Sequence, residues 1–319
     1  MKQPKTLQEA IIFYSSQDNC LNHLVAQRWP DGVTCPTCGG KDVKFIPTRR
    51  IWECKTKHAK KQFSIKIGTI FEDSPIGLDK WLTAAWMVAN CKNGVSSYEI
   101  HRAIGVTQKS AWFMLHRIRL AMQDDDGGKM QGHVEVDETF IGGKARFMHK
   151  DKRAKLDKMG WNNKVIVAGF KQRGPDGKVR TQIIENREKK TMHAMVKDNV
   201  EYGSYLSTDD CHSYWGLDQE YIHQIVDHAE CYVKGQVHTN GLENFWSLVK
   251  RGLKGTYVSV EPFHLFRYLD EQVFRFNNRG NKYQPISDSD RFIMLTANLV
   301  GKRITYQQLI GRGMETQAN

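Results

Sequence analysis

His238-Thr-Asn-Gly-Leu-Glu243-Asn-Phe-Trp246-Ser-Leu-Val-Lys250-Arg251 reads as a helix that carries an acid and a base on one face. Glu243, Trp246 and Lys250 stand at i, i+3 and i+7 and share that face, whereas Phe245, Leu248 and Val249 point toward a core. One carboxylate does little chemistry alone, and two other runs supply partners. His133-Val-Glu-Val-Asp137-Glu-Thr-Phe-Ile-Gly142-Gly143 alternates and is closed by glycines, and Tyr205-Leu-Ser-Thr-Asp209-Asp210 is a short run that ends in acids. Both read as strands that deliver a carboxylate at or near the strand end. Asp137, Asp209 and Glu243 together make an oxygen-only donor set of the type that holds two Mg²⁺ (or Mn²⁺) ions for phosphoryl transfer.

Upstream, Thr6 to Tyr14 and Asp18 to Arg28 have helical apolar spacing and form a lead-in over residues 1–30. Cys35-Pro-Thr-Cys38-Gly39-Gly40 follows, a knuckle whose glycines let backbone amides face the thiolates. Cys54-Lys-Thr-Lys-His58 offers a second pair, and Phe63-Ser-Ile-Lys-Ile67 alternates like a closing strand. Cys35, Cys38, Cys54 and His58 would give a tetrahedral site for one structural Zn²⁺ in a ribbon of residues 31–73. Cys20, Cys91, Cys211 and Cys231 lack ligand spacing and read as ordinary thiols. Leu78 to Ala89 is a strongly apolar helix. Ser96 to Ile104, the turn Gly105-Val106 and Thr107 to Met122 give two more, the pattern of a helix-turn-helix within residues 74–126. Its second helix would present Gln108, Lys109 and Trp112 to a DNA groove, although any three-helix bundle shows the same spacing.

Asp124-Asp-Asp-Gly-Gly128 is an acidic linker to a catalytic region of residues 127–319. There the Asp137 strand is followed by Lys164 to Phe170 and Val179 to Ile184, joined as a hairpin by Gly174-Pro-Asp-Gly177. A helix over Met192 to Val200, the Asp209 strand, an apolar piece at Ile222 to Val226 and the Glu243 helix come next. Three strands, helix, strand, helix suits an α/β domain of RNase H-like fold, a mixed sheet flanked by helices. Helices around Pro262 to Phe276 and Asp290 to Leu299 are expected to close that domain.

Composition fits a polyanion partner. Lys plus Arg number 47 against 35 acids, a formal net charge of +12, in a chain of 319 residues. From Lys144 to Lys190 there are 15 basic and 5 acidic residues, a surplus that is either a solvated face or a nucleic-acid footprint. No apolar run approaches the roughly 18 residues that span a bilayer, and no signal-peptide core is present, so a soluble, cytoplasmic protein without membrane contact is expected. Three clustered cysteines favour metal over disulfides.

Four motifs in order resemble the bacterial insertion-sequence transposases of the DDE type with an N-terminal zinc ribbon. They are Glu135-Val-Asp137-Glu-Thr-Phe-Ile-Gly-Gly, Thr208-Asp209 with Tyr214, His238-Thr-Asn-Gly-Leu-Glu243-Asn-Phe-Trp246 with Lys250, and Arg275-Phe-Asn-Asn-Arg279. The resemblance spans roughly residues 20 to 280, with 33 residues between Asp209 and Glu243. It implies an RNase H-like fold and two-metal cleavage of element ends, whose 3′-hydroxyls are then joined to target DNA. It also implies double-stranded DNA as partner, a homodimer or higher oligomer on that DNA, and association with the nucleoid. Lys250 is then a phosphate-holding residue. The family usually has a second Cys-x-x-Cys, and this chain has Lys57 where its last cysteine would fall, which leaves the fourth zinc ligand open between His58 and none.

Plainer readings stand beside these. Glu135 and Thr139 share the Asp137 face, and the family motif selects Asp137. Asp210 competes with Asp209, and the spacing to Tyr214 selects Asp209. Asn240-x-x-Glu243 is also a helix capping box, and some family members use Asn in the third acidic role. His133, His228 and His238 receive no catalytic role. An RNase H-like nuclease that cuts without joining, and a non-enzymatic zinc-ribbon DNA-binding regulator, remain the alternatives.

Overall fold

Thr6 and Ser16 each accept a backbone N–H three residues on, from Glu9 and Asn19, and so start helices α1 (Leu7–Tyr14) and α2 (Gln17–Arg28). The computed structural model describes residues 3–123, 127–143, 149–154, 164–175, 177–226 and 239–312. They fall into two units, residues 1–123 with 282–319, and residues 124–281. After α2 come the antiparallel strands β1 (Val43–Ile46), β2 (Ile51–Cys54) and β3 (Gln62–Ser64). Buried Trp52 holds this ribbon together, with the rings of Phe45, Trp29 and Phe63 at 5.1, 5.5 and 6.0 Å.

Helix α3 (Leu78–Asn90) is apolar nearly all round, and Trp81, Leu82, Ala85, Trp86 and Val88 are among its buried residues. Ser96 and Glu99 form a reciprocal capping box for α4 (Ser97–Ile104), and Gly105, at φ 62°, ends that helix in the left-handed conformation. Thr107 then caps α5 (Gln108–Ala121). The α5 guanidinium of Arg117 is buried and donates to the carbonyls of Ile70, Glu72 and Ile304, which fixes the helix pair to the first unit.

The second unit is a sheet with helices on both faces. Its elements are β4 (His133–Ile141), the short α6 (Lys150–Arg153), β5 (Val165–Gln172), β6 (Val179–Ile184), α7 (Lys189–Asn199), β7 (Tyr205–Asp209), β8 (Ile222–Val226), α8 (Asn240–Gly252) and α9 (Leu265–Asn277). The strand order is β6-β5-β4-β7-β8; β4, β5 and β6 pair antiparallel, whereas β7 runs parallel to both β4 and β8. Lying at the centre, β4 is covered on both sides, and Val134, Glu135 and Val136 are buried in succession. Val134, Val136 and Phe170 pack with Met192, Met195 and Val196 of α7. On the other face Val167 and Val179 lie under Leu242, Phe245, Trp246 and Val249 of α8 and Leu269, Val273 and Phe276 of α9. Asn277 brackets the edge strand: its side chain accepts the Val179 N–H at 2.8 Å and donates to the Val179 carbonyl at 3.0 Å.

One expected helix lands elsewhere. Helix α10 (Asp288–Ala297) does not close the mixed sheet but belongs to the first unit. Its Phe292 ring lies 5.0, 5.3 and 5.5 Å from Trp86, His23 and Tyr14, filling an aromatic niche that α1, α2 and α3 leave open. The terminal α11 (Tyr306–Leu309) follows it. No helix among the described residues is long and apolar enough to cross a membrane.

Candidate functional site

The parallel register of β4 on β7 pairs His133 with Tyr205 and Glu135 with Ser207. Two residues farther along each strand, Asp137 and Asp209 come level on neighbouring strands. They also share a face, because side chains alternate and the His133 and Tyr205 rings, four residues back, stack at 4.3 Å. Neighbouring strands lie about 4.8 Å apart, so two carboxylates at one level must sense each other. The Asp137 carboxyl is pushed up to about 7, first by burial and then by the nearby charges of Glu138 and Asp209. Asp210, next in the chain, is exposed.

Helix α8 crosses that face. Trp246 donates its indole N–H to Asp137 Oδ2 at 3.0 Å, which partly opposes the upward shift. The indole fits because Gly169, the β5 residue paired with Asp137, has no side chain; a Cβ there would stand 2.5 Å from Trp246 Cζ2. Trp246 therefore turns inward with Phe245 and Val249 instead of sharing the outer face with Glu243 and Lys250, both of which are exposed. The capping box that Asn240-x-x-Glu243 offered as the plainer reading is not formed. Thr239 is the N-cap residue, without a side-chain cap bond, and Asn240 is already the first helical residue. The helix start is held from β4 instead. Glu135, only 1% exposed, accepts the Leu242 N–H at 3.0 Å and pairs with Arg173 Nε at 2.8 Å. Sequence reasoning treated Glu135 as a rival of Asp137; its place one residue before Val136 in a doubly covered strand was the signal that it needed a buried partner.

On the opposite face of β4, Tyr214 donates to Glu138 at 2.5 Å and Arg187 pairs with the same carboxylate. Burial and then Glu138 push the Tyr214 hydroxyl well above its ordinary range, so it stays a donor. Of the three acids on β4, Glu135 and Glu138 each neutralise an arginine.

Four ligands converge in the ribbon. The sulfurs of Cys35, Cys38 and Cys54 and a ring nitrogen of His58 all lie within 4.8 Å of one another. A tetrahedral zinc with bonds of ~2.3 Å to sulfur and ~2.0 Å to nitrogen has sulfur–sulfur edges of ~3.8 Å and sulfur–nitrogen edges of ~3.5 Å. Cys38 Sγ to Cys54 Sγ is 3.7 Å and Cys35 Sγ to His58 Nε2 is 3.5 Å. Burial raises the Cys35 thiol, but N–H donors from Cys38 and Thr37 and the neighbouring thiols outweigh it and bring it down to about 6. His58, next to Lys57, thus stands where a fourth ligand would. Among the described residues this is the one such cluster; Asp137, Asp209 and Glu243 do not gather to that degree.

In the helix pair, Gln108 donates to Ser97 Oγ at 2.8 Å, Lys109 lies 4.7 Å over the Tyr306 ring, and Trp112 meets His116 at 4.5 Å. Lys109 remains exposed, whereas the Gln108 amide is engaged inside the unit. Residues 144–148, 155–163 and 176 of the basic run, together with His228, Cys231 and His238, lie outside the described residues.

Residues 129–277 match the family model of the ISXO2-like transposase domain, and residues 15–58 match that of the transposase zinc-ribbon domain. An uncharacterized protein in transposable element ISH50 of Halobacterium salinarum is 26% identical over 251 residues, which cover 75% of this chain and 84% of the relative. An uncharacterized transposase-like protein of Haemophilus influenzae is 32% identical over 108 residues, 34% of this chain and 87% of that one. With a mixed sheet that places two aspartates level on one face, a four-ligand ribbon, and both matches in this order, the chain belongs to the family of transposases that join a zinc ribbon to an ISXO2-like transposase domain.

Proposed function

We propose that residues 124–281 form an RNase H-like catalytic domain with which this transposase cleaves the ends of an insertion sequence and joins their 3′-hydroxyls to target DNA. The level placement of Asp137 and Asp209 beneath α8, the helix that bears Glu243, carries the reading. A sheet of three antiparallel strands continued by two parallel ones supports the fold assignment. Asp137, Asp209 and Glu243 would hold two Mg²⁺ (or Mn²⁺) ions. The donors are all hard oxygens, and a half-buried Asp137 raised to about 7 by burial and then by neighbouring acids is a carboxylate that a cation stabilises. When bound, such ions activate the attacking water or hydroxyl and stabilise the leaving oxygen of an in-line displacement.

The protein's own groups position. Trp246 fixes the Asp137 carboxylate, and Glu135 fixes the start of α8 and so the height at which Glu243 is presented. Lys250, two turns beyond Glu243 and exposed, is placed to hold a DNA phosphate. Binding of double-stranded element ends falls to the ribbon and the helix pair with Gln108 and Lys109, non-specific phosphate contacts to the basic run from Lys144 to Lys190, and the working form is a homodimer or higher oligomer on nucleoid DNA. Asp137→Ala, Asp209→Ala and Glu243→Ala should each abolish joining of a pre-cut end while leaving end binding near normal, and Asp210→Ala should do far less. Full joining by the Glu243→Ala protein would refute the site. End cleavage without joining in the unsubstituted protein would mark a nuclease instead.

A further inference from the structure

Strands β2 and β3 are joined by Lys55-Thr-Lys-His-Ala-Lys-Lys61, seven residues with four lysines and no acid. The sequence holds no acid between Glu53 and Glu72, and across Lys41 to Lys66 nine lysines and arginines stand against two acids, Asp42 and Glu53. A basic run on a loop is ordinarily a solvated tip whose side chains wander. This one is held at three points: the Cys54 N–H donates to the Lys61 carbonyl at 2.8 Å and closes the loop, the Lys55 N–H donates to the Asp42 carbonyl at 3.0 Å, and His58 Nε2 lies 3.5 Å from Cys35 Sγ.

The ligand set decides which way the side chains point. His58 turns in to the three sulfurs. Thr56 turns in as well, for its hydroxyl bonds the Cys54 thiol and lies, with Cys38 Sγ, where a Cβ on Gly40 would meet it at 3.3 Å. With Thr56 and His58 committed inward, Lys55, Lys57, Lys60 and Lys61 are left outward, and all four are exposed. The centre they surround carries little charge of its own. Three thiolates against the two charges of Zn²⁺ leave one negative charge, where four cysteines would leave two. The hairpin therefore stays cationic with zinc in place.

We propose that residues 55–61 form a zinc-shaped finger that sets Lys55, Lys57, Lys60 and Lys61 against the phosphates of duplex DNA, so that metal binding decides whether this surface exists. The inference rests on the reading of the ribbon as a DNA-binding element. Ammonium groups on flexible stems are point charges, suited to backbone oxygens and not to the paired donors and acceptors of base edges. The finger thus fixes the protein's register on the duplex without reading sequence. Tethering the loop at His58 before DNA arrives lowers the ordering cost of each contact.

Fluorescence anisotropy on the full-length protein, titrated with salt against a labelled element-end duplex and an unrelated duplex, tests this. Each phosphate contact contributes ~0.9 to the slope of log K against log salt, so Lys55→Ala, Lys57→Ala, Lys60→Ala and Lys61→Ala combined should lower that slope by about 3 to 4 on both duplexes. Zinc content should stay at one equivalent, which shows that the ribbon still folds. Chelating zinc from the unsubstituted protein should lower the slope by the same amount although every lysine remains, and returning zinc should restore it. Charge alone gives the opposite sign, because removing Zn²⁺ and protonating three thiolates makes the ribbon one charge more positive. A slope unchanged by the four alanines, a loss confined to the element-end duplex, or metal-free protein that binds as the zinc form does would each overturn the finger and leave the transposase chemistry standing. Failure of the unsubstituted protein to bind either duplex would overturn the DNA reading itself.

Discussion

Replacing Gly169 by alanine puts a methyl group where the Trp246 indole lies. The added carbon would stand 2.5 Å from Cζ2, 3.0 Å from Cη2 and 3.1 Å from Leu242 Cδ2. Carbon atoms rest at ~3.5–4.0 Å, so the ring must retreat by about 1 Å. Little room exists, since Trp246 is 4% exposed and Leu242 fully buried. Overpacking of this kind costs ~1–3 kcal/mol. The alanine recovers ~0.4–1 kcal/mol by restricting the unfolded chain, which leaves a net loss of about 1–2 kcal/mol. For a unit of this size each kcal/mol moves the melting point by ~2–4 °C, so calorimetry on the full chain should show a fall of roughly 2–8 °C. Function should suffer as well. A retreat of that size breaks the 3.0 Å bond from Trp246 to Asp137, and because that bond lowers the carboxyl's pKa, its loss leaves Asp137 more fully protonated near neutrality and a weaker cation ligand. Trp246→Phe in the Gly169→Ala background should restore part of the stability and none of the hydrogen bond. An unchanged or raised melting point with normal joining would refute the packing argument.

Glu135→Gln keeps the shape of the cap on Leu242 but removes its charge beside Arg173, and denaturant titration should register a loss of ~1.5–3 kcal/mol, the worth of a charge-assisted bond. Zinc analysis of the full chain should return one equivalent, and His58→Ala should lose it; stoichiometric zinc in that variant would remove His58 from the ligand set. Retention should also fall as the pH is lowered, because protons compete with the metal for the thiolates and the imidazole. The Asp137 carboxyl is raised, so without divalent cations the native state holds that proton more tightly than the unfolded chain, and its contribution is lost as pH rises toward about 7. Asp137→Asn should therefore melt higher than the unsubstituted protein at pH 8 and no differently at pH 4, and added Mg²⁺ should close the gap at pH 8; a gap independent of pH would count against the assignment.

Local chemistry was legible in the sequence where one element decided it. The alternation of β4, the left-handed Gly105 between two helices and the Cys35-x-x-Cys38 knuckle each specify a structure without reference to distant residues, whereas the fourth corner beside Cys54 stayed open between His58 and none. Three features were not legible, for physical reasons. Alternation makes Glu135 and Asp137 equivalent, and only the approach of α8 commits one to a backbone N–H while the other meets an indole. Trp246 lies ~60° around the helix from Glu243 at ~100° per residue, on the border of the face, and the slot at Gly169, 77 residues earlier, turns it inward. The apolar spacing of α10 announces burial but not the partner, and the partner is an aromatic niche whose rings lie 206 to 278 residues earlier in the chain.

That last packing has a consequence for synthesis. The niche is complete only when Phe292 arrives, and about 170 residues separate it from Gln123, the end of the first segment. At ~5–20 residues per second the ribosome takes roughly ten to thirty seconds to deliver it. Throughout that interval Tyr14, His23 and Trp86 lack the ring that seals them, while residues 124–281 emerge and can fold as a body of their own. Translation thus finishes residues 124–281 before the amino-terminal unit, and a message broken within them yields a nascent chain with an unsealed core, a substrate for proteases.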